Sequence, residues 1–157
     1  MKAAMNNVFR SAVFGVGAIA MVLGATNAQA GDYGYKPGQK AVYQVNEIDR
    51  ANGALRNVGN HLEATGTPLE GNIDLAVVSH SSGVYMLLEG ATNSKGELYE
   101  PKVQDLMSKG VAFLQCRKTL QGKGLKKSDL VDGVEIVPSG VGEVAEKQRN
   151  GYAYVKP

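Results

Sequence analysis

The segment Ile73-Asp74-Leu75-Ala76-Val77-Val78-Ser79 constrains the fold more than any other. It is too short for a buried helix and too continuously apolar for a strand with one face in water. A run of that kind fits a strand covered on both faces, as in a parallel sheet flanked by helices. The neighbouring segments agree. Residues 40–46 hold Ala41, Val42, Tyr43 and Val45, a short strand. Asp49 is expected to cap a following helix, on which Ala51, Leu55, Val58 and Leu62 recur every three or four residues and form one face. Gly66-Thr67-Pro68 breaks it. After His80-Ser81-Ser82-Gly83 turns the chain, residues 84–88 read as either a short helix or an extended insert.

Pro101 suits the first turn of a second helix, with Val103, Leu106 and Met107 inward and Gly110 at its end. Residues 111–116 form a third strand, followed by a basic stretch to Lys127 and a helical turn at 128–131. Residues 134–137 make a fourth strand. Val141, Val144, Ala145 and Gln148 mark a helix closed by Asn150-Gly151, and residues 152–155 a last strand. Strand and helix alternate throughout. The expected class is α/β, a three-layer α/β/α sandwich around a mostly parallel sheet of about five strands.

Residues 1–30 stand apart. Lys2 and Arg10 precede or border an uncharged apolar run over 11–25, and Ala28-Gln29-Ala30 has the small-x-small form that a signal peptidase cuts. This order predicts a secretory signal cleaved after Ala30, with the folded domain at 31–157. The expected location is periplasmic or otherwise exported, with no membrane attachment after cleavage. Of the 17 basic and 15 acidic residues, the signal would remove Lys2 and Arg10 and no acid, leaving 15 of each sign. A neutral mature chain without aromatics interleaved among its cations argues against nucleic acid as partner.

Export normally brings disulfides, yet the chain has a single cysteine, Cys116. A lone thiol there is an intermolecular half-bridge, a packed inert side chain or a reactive group. Ligands of such sheets bind beyond the carboxyl ends of the strands. At that rim fall Asn46 and Glu47, Ser79 and His80, Cys116, and Ser139-Gly140. Cys116 is followed by Arg117, Lys118 and Thr119, with Lys123, Lys126 and Lys127 beyond. If residues 117–121 open a helix, its free N–H groups and the nearby cations favour thiolate, the nucleophilic form. The same surround would attract a persulfide, sulfite or thiosulfate.

His80 reads as a proton carrier beside the thiol or as a hydrogen-bonded turn residue, and His61 as structural. The three side chains Cys116, His61 and His80 lack metal-ligand spacing, so no metal is expected. The run 140–145 matches G-x-G-x-x-A loosely. The acid expected about 20 residues later has no place, so Gly140 and Gly142 serve a tight turn or a small anion. No cofactor is implied.

Residues 54–60, 75–80, 110–116, 134–141 and the ending 151–157 resemble, in order, the DsrE/DsrF-like family, closest to its exported single-domain members. The resemblance implies the three-layer fold, a homo-oligomer, often a trimer or hexamer, and sulfur carried between partner proteins as a cysteine persulfide. It implies that Cys116 is that cysteine, that His80 matches a histidine ending the second strand, and that Asn60 matches a helix asparagine. The family often continues Cys-x-Asn-Thr-Leu; here Lys118 replaces the Asn, whereas Thr119 and Leu120 fit. The functional expectation is a sulfur carrier working through Cys116 and His80, with Arg117, Lys118, Thr119, Ser139 and Gly140 binding the anion. The alternatives are a non-catalytic oligomeric module for a small anion or partner protein, and a thiol redox sensor.

Overall fold

The computed structural model describes residues 35–157. The expected signal at 1–30 lies outside the described residues. The chain forms strand β1 (Gln39–Val45), helix α1 (Ala51–Thr65), β2 (Ile73–Ser79), α2 (Glu100–Ser108), β3 (Ala112–Cys116), α3 (Arg117–Lys123), β4 (Glu135–Val137), α4 (Gly140–Arg149) and β5 (Ala153–Val155). The strands lie in the order β4-β3-β2-β1-β5, and all four pairings are parallel. The α/β/α sandwich is therefore as expected, with a sheet that is wholly rather than mostly parallel.

Alternation along the strands divides the interior in two. Ala41, Tyr43 and Val45 of β1, Leu75 and Val77 of β2, and Phe113 of β3 pack with Leu55, Val58 and Leu62 of α1 and Val103 and Leu106 of α2. On the opposite face Val42, Ala76, Val78 and Leu114 pack with Val144 of α4 and Tyr152, with the partly buried Ala112 and Val137 beside them. Among the described residues the first core holds 23 buried side chains and the second six. At about 1.5–3 kcal/mol for each large apolar side chain buried, the first core dominates stability. The second layer is a single helix.

Two expectations need correction. Asp49 does not cap α1: a 3-10 turn, Ile48–Arg50, leads straight into it, and the residue before the helix, Arg50, makes no side-chain capping bond. The undecided segment after His80 is a 3-10 helix, Ser81–Leu87. It buries Val84, Met86 and Leu87 against the larger core. Gly83 is required there, because a Cβ at that position would lie 2.1 Å from the Val45 carbonyl oxygen.

Candidate functional site

Beyond the carboxyl ends of β2 and β3 the register sets two side chains next to one another. Ser79 pairs with Gln115, so the next residues, His80 and Cys116, emerge side by side on the face that α4 covers. Gly140 opens α4 against both of them. A Cβ on Gly140 would lie 3.0 Å from the His80 Cβ and 3.1 Å from the Cys116 Cβ. This close approach is why glycine stands at that position. Ser139 caps α4 by accepting a hydrogen bond from the Gly142 N–H at 3.2 Å.

Cys116 ends β3 and directly precedes α3, as the sequence suggested, with extended backbone (φ −64°, ψ 118°). Only 6% of the residue is exposed. Burial pushes its thiol up. The backbone N–H groups of Gly140, Thr119 and Lys118 and the Thr119 hydroxyl favour the anion, and together they hold its pKa below the ordinary thiol value. The two helix starts, at α3 and α4, thus converge on one atom. Free N–H groups at helix starts favour an anion there.

Thr119 does more than touch the sulfur. Its Oγ1 accepts the backbone N–H of Ser81 at 3.0 Å. Ser81 sits at φ 52°, a left-handed conformation costing a non-glycine residue about 1 kcal/mol, and the hydrogen bond accompanies that strain. His80 uses both ring nitrogens: Nε2 lies 2.7 Å from Gln44 Nε2 and Nδ1 3.0 Å from Ser81 Oγ. Burial lowers its pKa, favouring the neutral ring. Gln44 Oε1 in turn accepts from the Tyr154 hydroxyl.

The remaining sequence-derived candidates distribute themselves unevenly. Lys118 and Thr119 reach the sulfur through the backbone, and Thr119 also through its side chain. The side chains of Arg117, Lys118, Lys123, Lys126 and Lys127 are exposed. None takes part in the two ion pairs found among the described residues, Lys109–Asp105 and Arg149–Glu146. Lys123 lies over the Tyr85 ring, 4.7 Å from its centroid. Ser79, placed at the rim by sequence, is fully buried and lies on the opposite face from Cys116 by strand alternation. His61 hydrogen-bonds Tyr43 at 3.1 Å, a packing role. Asn60 is exposed on α1.

Gln44 and Tyr154 escaped the sequence reading. The available signal was a polar Gln44 within the apolar stretch 41–45, one residue before the carboxyl end of β1. No group of three or more His, Cys, Asp and Glu side chains able to hold a metal occurs among the described residues. No helix there is long and apolar enough to cross a membrane. A groove of about 430 Å³, lined by Gly38, Lys40, Leu69, Asp74 and Gly110, lies at the amino ends of β1 and β2, away from Cys116.

The solved structure of a protein of unknown function, MTH1491 from Methanobacterium thermoautotrophicum, is 29% identical. It superimposes with a TM-score of 0.64 over 76% of this chain and 99% of that one. The E. coli ychN protein, 24% identical over the same shares of the two chains with a TM-score of 0.63, shares the fold. No curated protein matches the chain. The model of the DsrE/DsrF-like family matches residues 29–157, a span that includes every strand, every helix and the thiol cradle described above. On that match the chain belongs to the DsrE/DsrF-like family.

Proposed function

We propose that this protein is an exported sulfur carrier that holds sulfane sulfur as a persulfide on Cys116. The observation that carries the reading is the convergence of two helix starts on one thiol: Cys116 directly precedes α3, Gly140 opens α4 so close that a Cβ there would lie 3.1 Å from the Cys116 Cβ, and the N–H groups and Thr119 hydroxyl of these starts lower the thiol's pKa. They support a thiolate as nucleophile and offer hydrogen bonds to a persulfide anion formed on it.

In the loading step the Cys116 thiolate attacks the outer sulfur of a donor persulfide, R–S–S–H. One S–S bond forms as the donor's S–S bond breaks, and the electron pair leaves on the donor's inner sulfur. The persulfide proton passes to that leaving thiolate, giving R–SH and Cys116–S–S⁻. The transferred sulfur keeps its formal oxidation state, so no outside oxidant is needed. Unloading is the same exchange run towards an acceptor thiolate. His80, beside the sulfur, is the proposed proton carrier. The exposed cations Arg117 and Lys118 would draw an anionic donor, and Ser139 and Gly140 complete the binding side of the site through the start of α4. Export and homo-oligomerisation, as a trimer or hexamer, belong to the same reading. The first rests on the signal-like residues 1–30 and the second on family membership.

Native intact mass spectrometry after incubation with a small persulfide tests it. The expected result is one added sulfur atom, removable by reductant, on the protein and none on Cys116→Ser. An unmodified wild-type mass under conditions that load a control persulfide carrier would remove this reading.

A further inference from the structure

Around Cys116 runs a series of hydrogen bonds whose direction can be deduced link by link. The Tyr154 hydroxyl donates to Gln44 Oε1, which turns the amide's NH₂ towards His80. An amide NH₂ has only hydrogens to give, so His80 Nε2 must accept. A neutral ring that accepts at Nε2 carries its hydrogen on Nδ1, and Nδ1 faces Ser81 Oγ at 3.0 Å. The backbone N–H of Ser81 can only donate, and it donates to Thr119 Oγ1. The Thr119 hydrogen is thereby left for the Cys116 sulfur. Two runs thus meet at Ser81: one passes from Tyr154 of β5 through Gln44 of β1 and His80, just beyond β2, to the Ser81 hydroxyl, and the other starts at the Ser81 backbone N–H and ends on Thr119, beside the thiol.

We propose that Gln44, itself fixed by Tyr154, is a positioning residue that sets the tautomer and orientation of His80 beside Cys116. The inference rests on Cys116 being the working group. It gives a role to the polar side chain that interrupts the apolar stretch of β1 and to a half-exposed tyrosine on the sheet edge. Among the described residues the two His80 ring nitrogens hydrogen-bond Gln44 and Ser81, neither of them charged. The amide therefore decides which nitrogen carries the hydrogen. Gln44 and Tyr154 are both partly exposed, so neither substitution opens the core.

The test is ¹⁵N NMR of histidine-labelled full-length protein, with a parallel pH profile of Cys116 alkylation. The chain has two histidines, so comparison with His61→Gln assigns His80. The wild type is expected to show His80 with hydrogen on Nδ1 alone. Gln44→Leu should lose that signature and give a mixture of tautomers, and Tyr154→Phe should lose it in part. Gln44→Glu puts a carboxylate against Nε2, which raises the His80 midpoint. It also adds a second inflection, at that midpoint, to the alkylation profile, because the imidazolium stands beside the thiol. A wild-type ring protonated on Nε2, or a Gln44→Leu spectrum identical to wild type, overturns the proposal. Should His80 respond as expected while Cys116 takes up no sulfane sulfur, the persulfide reading falls and the positioning of His80 stands.

Discussion

Two opposing effects meet on the Cys116 sulfur: burial favours the neutral thiol, and four donors favour the anion. The donors win, and Thr119 is the residue that supplies both a backbone and a side-chain bond. Thr119→Val keeps the shape but removes the hydroxyl. It should raise the thiol pKa, read from the pH dependence of iodoacetamide alkylation, and cost about 1 kcal/mol, because the Ser81 N–H loses its acceptor as well. A linked stability effect follows. A group whose folded pKa is depressed stabilises the fold above its unfolded value and loses that contribution as pH falls through the folded one. The melting temperature of wild type relative to Cys116→Ser is therefore expected to rise as pH climbs through the thiol range. A constant difference across that range would show the thiol is unperturbed. The position of Cys116, ending a strand and preceding a helix, was legible in the sequence because strand, helix start and cations are contiguous. Gln44 and Tyr154 were not, because they meet His80 only through the order of strands in the sheet, which local pattern does not encode.

At the scale of elements, the 3-10 helix Ser81–Leu87 decides where His80 and Ser81 point. Gly83 locks it against β1, since any Cβ would strike the Val45 carbonyl. Gly83→Ala should destabilise the protein by about 3 kcal/mol, measured by urea denaturation, and should shift the alkylation profile of Cys116 as the turn is displaced. The periodic helix α1 and the apolar strands could be read directly, because their patterns repeat over many residues. The start of α1 could not: Asp49 has the right chemistry for a cap, but the chain enters the helix through a turn that needs none. Ser79 was misplaced for a related reason. A one-residue step reverses the face of a strand, so Ser79 is buried while His80 reaches the site. Hydrogen exchange should separate the layers, with α1 amides protected to near the global stability and α4 amides released at a lower free energy, given the small core beneath α4. Equal protection in the two helices would contradict this.

For the molecule as a whole, the parallel sheet ends in two short edges, β4 and β5, each of three residues. Short edges limit unwanted pairing with other chains. The proposed export makes a direct prediction: N-terminal sequencing of protein recovered from the periplasm of an expressing bacterium should begin at Gly31. Retention of Met1 in the recovered protein would overturn it. The two sides of the sheet differ in how firmly they are tied down, and the sulfur draws on both. The Thr119 and Lys118 groups come from a segment whose Leu120 is rooted in the large core, whereas the Gly140 N–H comes from the lightly anchored helix. Breathing of α4 consequently withdraws one donor and uncovers the sulfur in the same movement. A protein surface that prised this helix away would find the Cys116 thiol more basic and more open and, on the proposed reading, the outer sulfur of its persulfide within reach of an acceptor thiol.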